Sequence, residues 1–168
     1  MMRRLVSLCL MALMGVLLVV SKEALAFLPN FEVVSLFIVL FTQSFGVLAL
    51  GAVAVFLVLE GLLYGFGIWW VMYLYVWPLL FLLAWLFRWM RHAWQWAVLS
   101  GLFGLSFGAL CSLVYLPAGG VPMVLGWIIS GFPFDISHCA GNFLLMIVLY
   151  WPLRKALERC VTMARGWR

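Results

Sequence analysis

Three polar side chains recur along one stretch late in the chain: Asp135, His138 and Asn142. Their spacing of i, i+3 and i+7 puts them on one face of a helix. Around this stripe the sequence sets Lys22, Glu23, Glu32 and Glu60, each at or beside the end of an apolar run. An ionisable group at membrane depth is expensive and marks a functional site by default. Two readings of the stripe stand side by side: a hydrogen-bond network holding a helix bundle together, or one wall of a small-molecule site. Catalysis would need more than these groups. No GxSxG, HExxH or paired acidic motif accompanies Asp135 and His138, so no nucleophile stands at a recognisable spacing and no catalytic residue is assigned. No metal site is expected either, because His138 and the adjacent Cys139 point to different faces of a helix. No Walker motif is present, so the chain is not expected to hydrolyse ATP itself. No cofactor is expected.

A second concentration of useful side chains lies at residues 60–78, where seven of nineteen residues are aromatic and three are glycines. Trp69, Trp70, Tyr73 and Trp77 carry most of the ring surface, and Glu60 opens the stretch. Rings with a polar handle gather at membrane–water boundaries. Glycines permit tight turns and close approach of a ligand. The stretch reads either as an interfacial belt between two spans or as a ligand-binding loop.

The elements that must position these residues are membrane helices. The 168 residues are 68% hydrophobic and 9% charged, with a mean hydropathy of +1.23, whereas a soluble domain carries roughly 25% charge. The length allows about six spans of roughly 20 residues and no separate soluble domain. The expectation is therefore an all-α, polytopic membrane protein. It is a single integral domain over 1–168, with spans near 5–20, 31–46, 47–63, 72–87, 93–116 and 134–151.

The first of these runs follows Arg3 and Arg4 and precedes Ala24-Leu25-Ala26, which resembles a signal-peptidase site. Lys22-Glu23 intervenes, and sixteen apolar residues nearly span, so a retained first helix is expected. Cys9, Ala12 and Gly15 fall three apart and give it a smooth face for helix packing. Pro29-Asn30 marks a turn. In the fifth span Ser100, Gly104, Gly108 and Ser112 form a small-residue ridge that lets a neighbouring backbone come close. Residues 117–133, with three prolines and four glycines, are expected to form a re-entrant or interfacial loop. The four cysteines are scattered without CxxC and read as packing residues.

Charge distribution sets the orientation. Of ten Lys and Arg residues, nine fall on the side of the termini in this six-span scheme; only Lys22 does not. Basic loops stay in the cytoplasm, so both termini and the Arg88–His92 turn are expected inside. Residues 21–31, 64–71 and 117–133 are then expected outside. The net charge of +5 is thus a matter of topology, and no nucleic-acid partner is expected.

Three segments now carry a family resemblance. They are Ser21-Lys22-Glu23-Ala24-Leu25-Ala26-Phe27-Leu28-Pro29-Asn30-Phe31-Glu32, Glu60 through Trp70 with Tyr73 to Trp77, and Phe134-Asp135-Ile136-Ser137-His138-Cys139-Ala140-Gly141-Asn142-Phe143. Together they resemble the substrate-binding S components of energy-coupling factor (ECF) vitamin transporters, in order and over nearly the whole chain. The resemblance implies a bacterial plasma-membrane protein of six helices that binds a vitamin-like small molecule at its outer face without catalysis. The site would be roofed by the first, third and fifth loops. The resemblance also implies docking onto an energy-coupling transmembrane protein driven by a pair of ATPase subunits. Ligand-binding residues would be Glu32, Glu60, Trp69, Trp70, Tyr73, Trp77, Asp135, His138 and Asn142, with docking through Cys9, Ala12 and Gly15. The family's Ala-xxx-Ala docking pair is imperfect here, since Ala12 is followed by Val16 with Gly15 beside it, and this leaves open whether the coupling module is shared or dedicated. Flavin, a corrinoid, a pyrimidine or a deazapurine would all suit such walls. The alternatives are a non-transport membrane scaffold of similar bundle shape and an intramembrane enzyme built on Glu60 or His138.

Overall fold

In a computed structural model the chain is described over residues 2–28 and 31–166, and every regular element among them is helical. The turn expected at Pro29-Asn30 lies outside the described residues, as does Arg168. The first helix, α1 (Met2–Ala24), is followed by a connection that carries Glu32. Then come α2 (Val34–Phe45) and α3 (Leu48–Tyr64), joined at Gly46 where the sequence places a link. Helix α2 starts at Val34 rather than at residue 31, so Glu32 stands outside it.

The expected aromatic loop is the first correction. Only Gly65, Phe66 and Gly67 separate α3 from α4 (Ile68–Leu86). Gly65 takes φ 83°, a left-handed conformation that stops α3 and that residues with a Cβ rarely adopt. From Ile68 to Trp77 no glycine or proline interrupts the chain, so the rings fall on a helix. Trp69, Tyr73 and Trp77 follow one another at i, i+4 and i+8 and share a face. Their ring centroids are 5.4 and 5.5 Å apart along it.

The expected fifth span is broken. Helix α5 (Ala93–Leu105) ends at Ser106, and α6 (Phe107–Ser112) follows with one 3-10 turn, Leu113–Tyr115. The Ser106 hydroxyl donates to the Leu102 carbonyl at 2.9 Å, a bond that competes with regular helix geometry.

The second correction concerns residues 117–133. They are not a re-entrant or interfacial loop but part of α7 (Leu116–Gly166), which leaves helical backbone geometry at Gly120 (φ 62°). Pro122 sits just after that point, in a first turn where its missing N–H would have no helical partner anyway. The richness in glycine and proline therefore produces one kink rather than a loop. Beyond the kink the helix runs for about 70 Å at 1.5 Å per residue.

Helix α5 packs most extensively on α7, and α1 on α3. The first contact depends on the small-residue ridge: a Cβ on Gly104 would sit 2.9 Å from the His138 carbonyl. Leu18, Phe41, Phe56, Val76 and Leu80 form the main core, and Leu40, Ala84, Trp96, Met146 and Tyr150 a second cluster. Much of the outside is apolar as well, with Leu13, Leu62, Ile129 and Val148 each more than half exposed. Three stretches are long and apolar enough to cross a membrane: Arg4–Ala24, Ile68–Leu86 and the segment Phe107–Thr162. Helices α2 and α3 are apolar but shorter.

Candidate ligand cavity

A cavity of about 500 Å³ opens between the α1–α2 connection, the first half of α4, α6 and the first half of α7. It is lined by Glu32, Trp69, Tyr73, Trp77, Asp135 and His138 among the residues singled out from the sequence. Three segments distant in the chain thus converge on one space.

Each polar group on its wall has a specific anchor. Asp135 accepts the Gly108 backbone N–H at 2.9 Å. That bond needs a glycine, because a Cβ at position 108 would lie 2.5 Å from the Asp135 carboxylate. His138 Nε2 stands 3.4 Å from Glu32 Oε1, and the imidazole packs edge-on against Phe107 with ring centroids 4.9 Å apart. Glu32 also accepts the Ser35 backbone N–H at 2.9 Å and the Ser35 hydroxyl. Burial works against the charge of Glu32, but His138 and Ser35 outweigh it and hold the carboxyl below the ordinary glutamate value.

Asn142 has a different place. It is 2% exposed and lies beneath the cavity, one turn below His138. Its Nδ2 donates to Ser35 Oγ at 3.3 Å and to the Ser100 carbonyl at 3.4 Å. Asn142, Ser35, Glu32 and His138 therefore form one polar chain linking α2, α5 and α7. The two readings of the stripe divide between its members. Asp135 and His138 face the cavity, while Asn142 belongs to the network that fixes Glu32.

Two other expected residues lie away from the cavity wall. Glu60 is 1% exposed and pairs with Lys22 Nζ at 2.6 Å. Lys22 also bonds Glu23 at 3.1 Å and lies over the Tyr64 ring. Glu60 thus positions Lys22, which does line the cavity. Trp70 turns toward α3, where its indole donates to the Leu57 carbonyl at 2.8 Å and its ring meets Phe66.

Sequence reasoning did not single out Phe107 and Tyr115, read Gly108 only as a packing residue, and left Trp127 off the site. Tyr115 and Trp127 stack with centroids 4.7 Å apart on the cavity wall. Gly108 was visible in the small-residue ridge, but nothing in one sequence says that a carboxylate lies against it. Among the described residues no group of three or more His, Cys, Asp or Glu gathers to hold a metal ion.

The expected docking face on α1 is split. Cys9 and Ala12 are exposed, but Gly15 is buried against α3, where a Cβ would meet Val55 at 2.5 Å. Gly15 serves internal packing, because α1 needs its own smooth stripe to approach α3.

No family model, no curated protein and no solved structure matches this chain.

Proposed function

We propose that this chain is the substrate-binding membrane subunit of an ECF-type transporter, holding a vitamin-like small molecule at the outer face of a bacterial plasma membrane. The observation that carries the proposal is the cavity of about 500 Å³ on which the first connection, the aromatic stretch and the Asp135–His138 stripe converge. Pockets for small molecules are apolar hollows of about 300–1,000 Å³ with a few placed polar groups, and this one has that make-up.

The membrane setting is supported by the three long apolar stretches and by the outward-facing Leu, Ile and Val side chains. The orientation is supported by the charges. Arg88, Arg91 and Arg154 border one hollow at the far ends of α2 and α4 from the cavity. Lys22, Glu32 and Asp135 border the cavity itself. Basic ends face the cytoplasm, so the cavity faces out. With no nucleotide-binding motif in the sequence, uptake needs a coupling membrane protein and ATPase partners. Cys9 and Ala12, exposed on α1, are the surface offered to them. A scaffold has no use for the cavity, and an enzyme would need a nucleophile beside His138.

The test is purification of the chain from its native host, followed by mass spectrometry of what it carries. A small heterocyclic nutrient at near-equal stoichiometry, lost on Trp77→Ala, is expected. A chain that carries no such molecule, and that gives no uptake when co-expressed with its coupling subunits, would remove the proposal.

A further inference from the structure

The charges and rings around the cavity go further than the presence of a ligand. Lys22, the fixed cation on the wall, is answered twice, by Glu60 and by Glu23. Glu32 is answered by His138. Asp135, 6% exposed and facing the same space, is paired with no cation among the described residues and receives a single backbone N–H. Whichever proton state His138 takes, the acids Glu23, Glu32, Glu60 and Asp135 outnumber the bases Lys22 and His138. A buried carboxylate without a counter-charge is costly. A ligand that brings its own positive charge supplies the missing counter-charge and offsets that cost.

The walls agree with the charge. Seven aromatic residues line the cavity, Trp69, Tyr73, Trp77, Phe107, Tyr115 and Trp127 with Phe134. Ring faces attract cations, most strongly when water is excluded.

From these observations we infer that the ligand is a flat organic cation, with its charge against Asp135. The inference rests on the ligand-binding reading above and narrows it: anionic and neutral nutrients are excluded as the main substrate.

The test uses three ring systems that share a methoxy group and differ in charge. They are 6-methoxy-N-methylquinolinium, neutral 6-methoxyquinoline and anionic 6-methoxyquinoline-4-carboxylate. The full chain, in nanodiscs of zwitterionic lipid, is dialysed to equilibrium against each near neutral pH, with empty nanodiscs as the blank. Wild type should hold the cation at least about tenfold more tightly than the neutral ring and should not retain the anion. Asp135→Asn keeps an acceptor for the Gly108 N–H and should bring the cation down to the level of the neutral ring. Equal retention of cation and neutral ring by the wild type overturns the inference while leaving the ligand site standing. A cation preference that survives Asp135→Asn does the same. Retention of none of the three rings overturns both the inference and the ligand-binding reading on which it rests.

Discussion

Alanine at position 104 is the sharpest probe of how the site is held. Gly101 and Gly104 sit one turn apart on α5, and both face α7. At Gly104 a new Cβ would fall 2.9 Å from the His138 carbonyl carbon and oxygen and 3.0 Å from the Cys139 nitrogen. Those are backbone atoms of a helix and cannot turn aside. At Gly101 the nearest atom is the Cys139 carbonyl oxygen at 3.4 Å, an ordinary contact. Replacing either glycine by alanine gains about 1 kcal/mol of helix propensity, and this gain cancels when the two variants are compared. Only Gly104→Ala adds overpacking, which costs about 1–3 kcal/mol in a well-packed interior. At roughly 2–4 °C per kcal/mol for a chain of this size, Gly104→Ala should melt roughly 2–12 °C below Gly101→Ala. Thermal unfolding in one detergent, followed by intrinsic tryptophan fluorescence, measures the difference directly. Equal melting temperatures, or a more stable Gly104→Ala, would mean that α5 and α7 are not in this register.

Lys22→Met should destabilise the fold by about 2–3 kcal/mol, somewhat less than breaking a fully buried pair, because the Lys22 side chain remains 28% exposed while Glu60 is left at 1%. Adding Glu60→Gln should recover most of the loss, and a double variant no more stable than Lys22→Met would contradict the pairing. Asn142→Ala and Trp70→Phe should each lower stability by about 1 kcal/mol, the usual contribution of a hydrogen bond, and neither should weaken binding of the proposed ligand more than about threefold. A tenfold loss in either, read by calorimetric titration, would place that side chain against the ligand after all.

The outline of the fold was legible because it depends on local patterns. Apolar runs bounded by charges or glycines mark α1 to α4 to within a few residues. The errors have one physical source: residue types usually found in loops were placed in helices by their spacing and neighbours. Glycine and proline in 117–133 suggested a loop, but a single left-handed residue, Gly120, absorbs the whole interruption. The rings after Gly67 suggested a loop too, although Trp69, Tyr73 and Trp77 are spaced for a helix face.

The site was legible by composition and not by pairing. That Asp135, His138 and Asn142 share a face follows from their numbers alone. Which of them faces empty space depends on Ser35, which lies 107 residues away from Asn142 in the chain, and on Gly108, 27 residues before Asp135. No periodicity connects such positions. The small-residue ridge on α5 and α6 is the link between the two levels. Its spacing announces that some backbone comes close. The structure identifies that backbone as the turn of α7 bearing His138, with Asp135 just before it. Close packing at Gly104 and Gly108 therefore sets the depth at which the carboxylate and the imidazole meet the cavity. A packing motif and a cavity wall are here two sides of the same contact, so a substitution that spares every cavity-facing residue can still reshape the cavity.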